Sequence, residues 1–461
     1  MLKFLQRFLP VLIGALCLLT DALYNGYPIV YSDTSTYIIS GFETQTPFDR
    51  PITYGIFLRL ASFGGWSFWP VIGLQALLLS GLLFAVFRLV LPESRYRPVA
   101  LISIFLLSLF TGLSWITSQL LADVFTPIAV LCLVLLLFGK QNRRSRIGLY
   151  VLFFIAVATH ISHVLLFCVL VALVFLLRRL LLPAALFPQR NLRSGILLLL
   201  SLGAILTMGS AMSKSKHVFF MGAMVEHGIT KAYLDEHCGE RDFMLCRYKD
   251  SLPARAYEFV WDGNSPLYKI GGWSASKKEF NTIIKGTFSE PKFIGLHLKA
   301  SCLATAEQLV RFETGDGNGV FSDTTRLYQR VLRYCPNDIH RFAASRQNQS
   351  RLSALPLLNR AYYLAVLLSL VTIAFMMVVY FRKLSRIVLS LTGILLLAVL
   401  VNAWDCGTFA NAIDRLGCKM MWLIPLAAIL LLCALKFPNV TAVISSDDNA
   451  GKSPAPSPSQ D

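Results

Sequence analysis

The chain has 461 residues, of which 55% are hydrophobic and only 15% charged, with a mean hydropathy of +0.59. That balance lies outside the range of soluble globular proteins and points to a membrane protein. The net charge of +17 comes without any nucleic-acid-binding motif, so it is read as topology-setting charge and nucleic acid is excluded as a partner.

Apolar runs close to the roughly 20 residues needed to cross about 30 Å of hydrocarbon recur along the chain. Ten spans are predicted, at 4–23, 70–91, 98–118, 121–139, 147–162, 163–178, 194–212, 361–381, 386–404 and 420–436. The fold class expected is therefore an all-α polytopic membrane protein. Lys and Arg cluster near Lys3 and Arg7, from Arg88 to Arg97, in "KQNRRSR" at 140–146, from Arg178 to Arg193 and from Arg382 to Arg386. The positive-inside rule then places both termini in the cytoplasm. The orientation depends on 147–178 being a hairpin that turns near "HISH" rather than one long helix. The first span has a basic start but no small-x-small cleavage pattern after it, so it reads as retained.

Four units follow: an N-terminal membrane module, 1–212, with an outer loop at 24–69; an extracytoplasmic, mainly helical domain, 213–360; C-terminal membrane helices, 361–436, with an outer loop at 405–419; and a cytoplasmic tail, 437–461, whose composition is that of a disordered segment. The first outer loop holds "SDTSTYIISGF" and "DRPITYGIFLRLASFGG", short amphipathic pieces suited to interfacial helices. Six cysteines, Cys238, Cys246, Cys302, Cys335, Cys406 and Cys418, fall in segments assigned to the outside. An even number there suggests disulfides. Nearest-neighbour pairing gives 238–246, 302–335 and 406–418, among fifteen connectivities that six cysteines allow.

This layout, with its short motifs, resembles the GT-C membrane glycosyltransferases, which take a sugar from a polyprenyl-phosphate donor at the outer membrane face. The likeness rests on "SDTSTY" (Asp33, Tyr37) in a long first outer loop, on "LLADVFTPIAVL" with Asp123 opening the fourth span, and on "DRLGCKMMWLIPL" with Arg415 and Lys419 before the last span. It covers roughly 1–213 and 360–436. The resemblance implies an inverting transfer at the outer face of a bacterial inner membrane, to a glycan, lipid or protein acceptor. It leaves room for a divalent metal without requiring one. Two positions depart from the family pattern: the paired acids common in its first loop are here Asp33 alone, and the Tyr that often follows the late Arg is Leu416.

The residues themselves fit that chemistry. Sugar transfer needs a carboxylate base within about 3 Å of the acceptor hydroxyl, a role open to Asp33 or Asp123, and cations for the leaving phosphate, open to Arg50, Arg415 and Lys419. Each has a plainer reading. Asp33 caps a helix starting at Thr34, Asp123 caps the fourth span, and Arg415 and Lys419 snorkel above the last one. His160 and His163, three apart, share a helix face that suggests metal or phosphate contact and, with Tyr37, a lining for the substrate, but with no third ligand nearby they also read as a packed hairpin turn. "DGNG" at 316–319 fails as a calcium loop, because Val320 stands at the third ligand position and Phe321 where the loop's Gly belongs. The competing classes are a transporter or flippase of envelope lipid or glycan and a non-enzymatic envelope protein. The transporter reading is weakened by span interiors almost free of acids and by the lack of an internal repeat.

Overall fold

A computed structural model describes residues 2–181, 188–208 and 211–437. The tail expected to be disordered lies, after Phe437, outside the described residues. The described residues are mainly helical, and the one β-type contact among them is an isolated parallel bridge between Ile29 and Gln119.

Among the described residues four helices are long and apolar enough to cross a membrane: Trp69–Val90, Leu355–Val379, Arg386–Phe409 and the run Asp414–Lys436. Four of the ten expected spans fall on these, and the other six fall on shorter, interrupted or partly described helices. The starts follow local chemistry. Pro70 and Pro356 occupy the first turn of the first two, where a missing N–H costs nothing. The Ser385 hydroxyl caps the third by accepting from Val388 N–H at 3.4 Å. Leu355–Val379 leaves Leu364, Leu367, Leu368, Val371, Phe375 and Val378 exposed. Their spacing of three and four residues makes one continuous apolar face. Near "HISH" the helix is broken, as one ends at Ala158 and the next begins at Ile161. His160 Nδ1 accepts from Ser162 N–H at 3.3 Å across the break.

There are two apolar cores. One runs through the long helices and takes in Phe312, Leu327, Val331 and Phe342 from the connecting segment. A second is built only from residues between Val218 and Phe293, including Tyr233, Phe259 and Phe280.

The first loop is held by polar clasps. Ile29 N–H donates to Ser118 O and Leu120 N–H to Ile29 O, each at 2.9 Å. Thr34 Oγ1 donates to Leu120 O at 3.1 Å. Gln347 receives Val30 N–H at 3.1 Å and returns a hydrogen bond to Val30 O at 2.7 Å. Beyond the clasps, the helices Ser32–Glu43 and Thr53–Ala61 meet backbone to backbone, so that a Cβ added at Gly41 would lie 2.0 Å from Gly55 O. Gly41→Val should therefore destabilise the protein by about 1–3 kcal/mol through overpacking, read as a lowered melting temperature in detergent. Gly73→Ala, with no atom within 4 Å of the added Cβ, should melt close to wild type.

The cysteine expectation is corrected in two of its three pairs. Cys238 and Cys246 form a disulfide with Cα atoms 5.8 Å apart, whereas Cys302, Cys335, Cys406 and Cys418 are free. Cys302 is exposed on the helix Pro291–Val310, while Cys335 is buried in the main core. Cys406 lies inside the helix Arg386–Phe409, where its Sγ donates to Asn402 Oδ1 at 3.7 Å, and Cys418 packs over Gly112 on the helix Asp414–Met421. Helix geometry points the last two at different neighbours, although their sequence spacing suits a small loop. Alkylation of the denatured, unreduced protein should modify the eight free cysteines, and reduction should expose only Cys238 and Cys246 in addition. A further non-reactive pair would contradict the assignment.

Candidate functional site

The helix carrying Asp33 starts at Ser32, with Tyr31 as its N-cap, and Thr34 Oγ1 receives Tyr31 N–H at 3.0 Å. Capping is thus performed by Thr34, which frees the Asp33 carboxylate. Asp33 Oδ1 accepts from Arg50 Nη2 at 3.2 Å and Oδ2 from Arg415 Nη1 at 2.9 Å. Arg50 also donates to the neighbouring Asp49 Oδ2 through Nε at 3.0 Å and Nη2 at 2.5 Å. The chain of charges continues through Arg415 Nε, 3.7 Å from Asp123 Oδ2, to Lys419 Nζ, 3.4 Å from Asp123 Oδ1. All five charged residues singled out in the sequence, Asp33, Arg50, Asp123, Arg415 and Lys419, fall in this one network.

Each member is placed by a different part of the chain. The clasp at Ile29 and Leu120 sets the start of the helix Ser32–Glu43 beside the turn that carries Asp123. Arg415 sits in the first turn of Asp414–Met421, and its backbone N–H donates to Asp316 Oδ2 at 3.0 Å. The Tyr31 ring supports the Arg415 guanidinium at 4.3 Å, and Tyr37 supports that of Arg50 at 5.1 Å, both by cation–π contact. Gly317, with φ of +65°, brings the "DGNG" backbone against Tyr31 where a side chain would strike the ring. That stretch, read in the sequence only as a failed calcium loop, positions two site residues.

Burial works against the charged form of Asp33, but Arg50 and Arg415 override it and hold the carboxyl well below the usual carboxylate range. Arg50 is likewise held in its charged form: burial opposes this, and Asp33, Tyr37 and Asp49 outweigh it. Burial pushes the Tyr37 phenol up, away from ionisation. A depressed folded value means that the stabilisation from Asp33 is fully present above the unfolded carboxylate value and is lost as pH falls through the folded one. The melting-temperature difference between wild type and Asp33→Asn should therefore be constant from about pH 8 to 5 and narrow only below about pH 4.

Asp33, Asp49, Arg50 and Arg415 of this network line a cavity of about 1790 Å³. Its walls include Asp33, Arg50, His160 and Arg415, an apolar strip of Val164, Leu165, Cys168 and Leu202, and the buried Asp405. Arg50 Nη1, Arg415 Nε and Asp405 Oδ2 are buried and make no hydrogen bond among the described residues. Seven Lys or Arg residues line the cavity against five Asp. Among the described residues Arg326, Arg330, Lys216 and Lys285 form no ion pair, and Arg330 Nη1 donates to Ser35 Oγ at 2.9 Å. The two histidines part company. His160 faces the cavity, whereas His163 uses one nitrogen on Thr126 Oγ1 at 2.6 Å and the other on Ala156 O at 2.9 Å. Among the described residues no three His, Cys, Asp or Glu side chains are grouped to hold a metal ion. Asp33, Asp49 and Asp123 are each engaged by Arg or Lys, a donor set poorly suited to a divalent cation.

Asp49, Tyr31 and Asp316 were missed in the sequence. Asp49 stands next to Arg50 in "FDRP", so an acid beside a candidate phosphate ligand was the available signal. Nothing local marks the other two. No family model, no curated protein and no solved structure matches the chain.

Proposed function

We propose that the protein is a membrane glycosyltransferase of GT-C type that moves a sugar, with inversion, from a polyprenyl-phosphate donor to an envelope acceptor. The observation that carries this reading is a pair of buried guanidinium groups flanking a carboxylate beside a large cavity with an apolar strip: Arg50 Nη1 has no hydrogen-bond partner among the described residues, and Arg415 Nε has only the 3.7 Å ion-pair contact to Asp123. Guanidinium N–H groups with no acceptor suit phosphate oxygens, which they bind by charge-assisted hydrogen bonds. The strip from Val164 to Leu202 suits a lipid tail, and the exposed face of Leu355–Val379 suits a bilayer. By the positive-inside rule the site faces the outer side of a bacterial inner membrane.

In the transfer, the acceptor hydroxyl oxygen attacks the anomeric carbon. The bond from that carbon to the donor phosphate oxygen breaks, polyprenyl phosphate leaves with the electron pair, and the hydroxyl proton passes to Asp33. Arg50 and Arg415 stabilise the charge that grows on the phosphate. Before the donor binds, both guanidinium groups suppress Asp33 as a base. A phosphate that draws them toward itself relieves Asp33 and raises its basicity, so donor binding and base activation are linked.

Lipid extracts from the native host with and without the gene test the reading. A polyprenyl-phosphate sugar that accumulates only without the gene supports it. An unchanged lipid pool together with an unchanged set of surface glycans contradicts it.

A further inference from the structure

The cavity is well above the roughly 300–1,000 Å³ that encloses a drug-sized ligand, and the charge network occupies one side of it. The other side is walled by the helices Ala211–Glu226, Ala256–Trp261 and Lys277–Ser289, which contribute His217, Phe219, Tyr257, Trp261 and Asn281.

His217 is only 2% exposed. Its Nε2–H donates to Trp273 O at 2.9 Å, and Nδ1 has no hydrogen-bond partner among the described residues. Burial, reinforced by Lys277 and Lys216, lowers the ring's affinity for a second proton, although the hydrogen bond to Trp273 O works the other way. With Nε2 as the donor, the neutral ring offers Nδ1 as an acceptor. A buried acceptor left unpaired is destabilising, and an O–H or N–H on a ligand is the kind of group that would satisfy it.

Beside it stands an aromatic cluster. Trp261 packs on Trp273 at 5.4 Å and on Phe219 at 6.1 Å, yet 47% of its surface stays open, and Tyr257 is 53% exposed. Trp273 in turn meets Phe48 at 4.9 Å, two residues before Arg50. The cluster therefore abuts the loop that carries the proposed phosphate ligand. Open aromatic faces next to a buried hydroxyl acceptor match a sugar ring, which has an apolar C–H face and a hydroxyl edge.

We infer that this side of the cavity is a carbohydrate subsite, with His217 Nδ1 accepting a ring hydroxyl and Trp261 and Tyr257 covering the ring's C–H face. Taking the bound sugar as the acceptor of the transfer rests on the function proposed above; the subsite itself does not. The acceptor is then a glycan rather than a protein or a bare lipid.

The test uses the full-length protein in detergent and an immobilised panel of oligosaccharides spanning neutral, amino and acidic hexoses, with dodecyl phosphate binding measured in parallel. Wild type should bind at least one oligosaccharide class saturably. Trp261→Ala, Tyr257→Ala and His217→Gln should each weaken that binding by about tenfold or more, and Gly73→Ala, away from the cavity lining, should leave it unchanged. Trp261 and Tyr257 are exposed enough that their variants keep the test open if His217→Gln does not fold. No saturable binding to the panel, or wild-type binding by Trp261→Ala, overturns the subsite. Wild type that holds the oligosaccharide but binds no dodecyl phosphate contradicts the donor assignment and leaves the subsite standing.

Discussion

Asp33→Asn should abolish sugar transfer while the protein still binds a polyprenyl phosphate, and binds it at least as tightly as wild type. The rate loss expected for removal of a general base is about 10²–10⁴-fold. Binding should be kept because the substitution removes the carboxylate that competes with phosphate for Arg50 and Arg415, held at 3.2 and 2.9 Å. A purely structural role makes the opposite forecast. If Asp33 only neutralised two buried guanidinium groups, Asn would disorder them and phosphate binding would fall together with activity. Rate and dodecyl phosphate affinity measured on one preparation separate the cases. Parallel loss of both would return Asp33 to a structural part.

The second large effect is on stability. Lys419 is fully buried, and its ammonium group pairs with Asp123 at 3.4 Å. Removing one partner of a buried pair leaves the other charge uncompensated, at a cost of about 3–5 kcal/mol. Lys419→Met should therefore melt far below wild type, and adding Asp123→Asn should recover part of the loss, since the second change removes the stranded carboxylate. Thermal unfolding in detergent measures both. If the double variant is no more stable than Lys419→Met, Asp123 draws its compensation from Arg415 at 3.7 Å and the Lys419 pair is secondary.

The sequence made the main site charges legible because Asp123, Arg415 and Lys419 sit at span rims and Asp33 and Arg50 in the first outer loop, and a hydrophobic chain leaves few other places for charge. Asp33 and Arg415, 382 residues apart, meet directly. What the sequence hid is what only folding creates. Asp316 touches the Arg415 backbone across 99 residues, and Tyr31 becomes a platform only because Gly317 lets the backbone close on it. The helix start was misplaced by two residues, which assigned Asp33 a capping role that Thr34 performs. Cysteine parity misled for a related reason. Cys406 and Cys418 look like the rims of a loop, but the helix Arg386–Phe409 continues through Cys406 and fixes its direction. His160 and His163 share a spacing that suggests a common task, yet the break after Ala158 turns one to the cavity and the other to Thr126.

The central claim is transfer from a polyprenyl phosphate, and reconstitution tests it most directly. Purified wild type and Asp33→Asn, placed in lipid vesicles, receive polyprenyl-phosphate sugars labelled in the sugar together with glycans extracted from the host envelope. The account predicts that wild type releases unlabelled polyprenyl phosphate in equal amount to the label appearing on glycan, and that Asp33→Asn does neither. Label that stays on the lipid with wild type across the common hexose, pentose and amino-sugar donors, or equal transfer by both proteins, would contradict it.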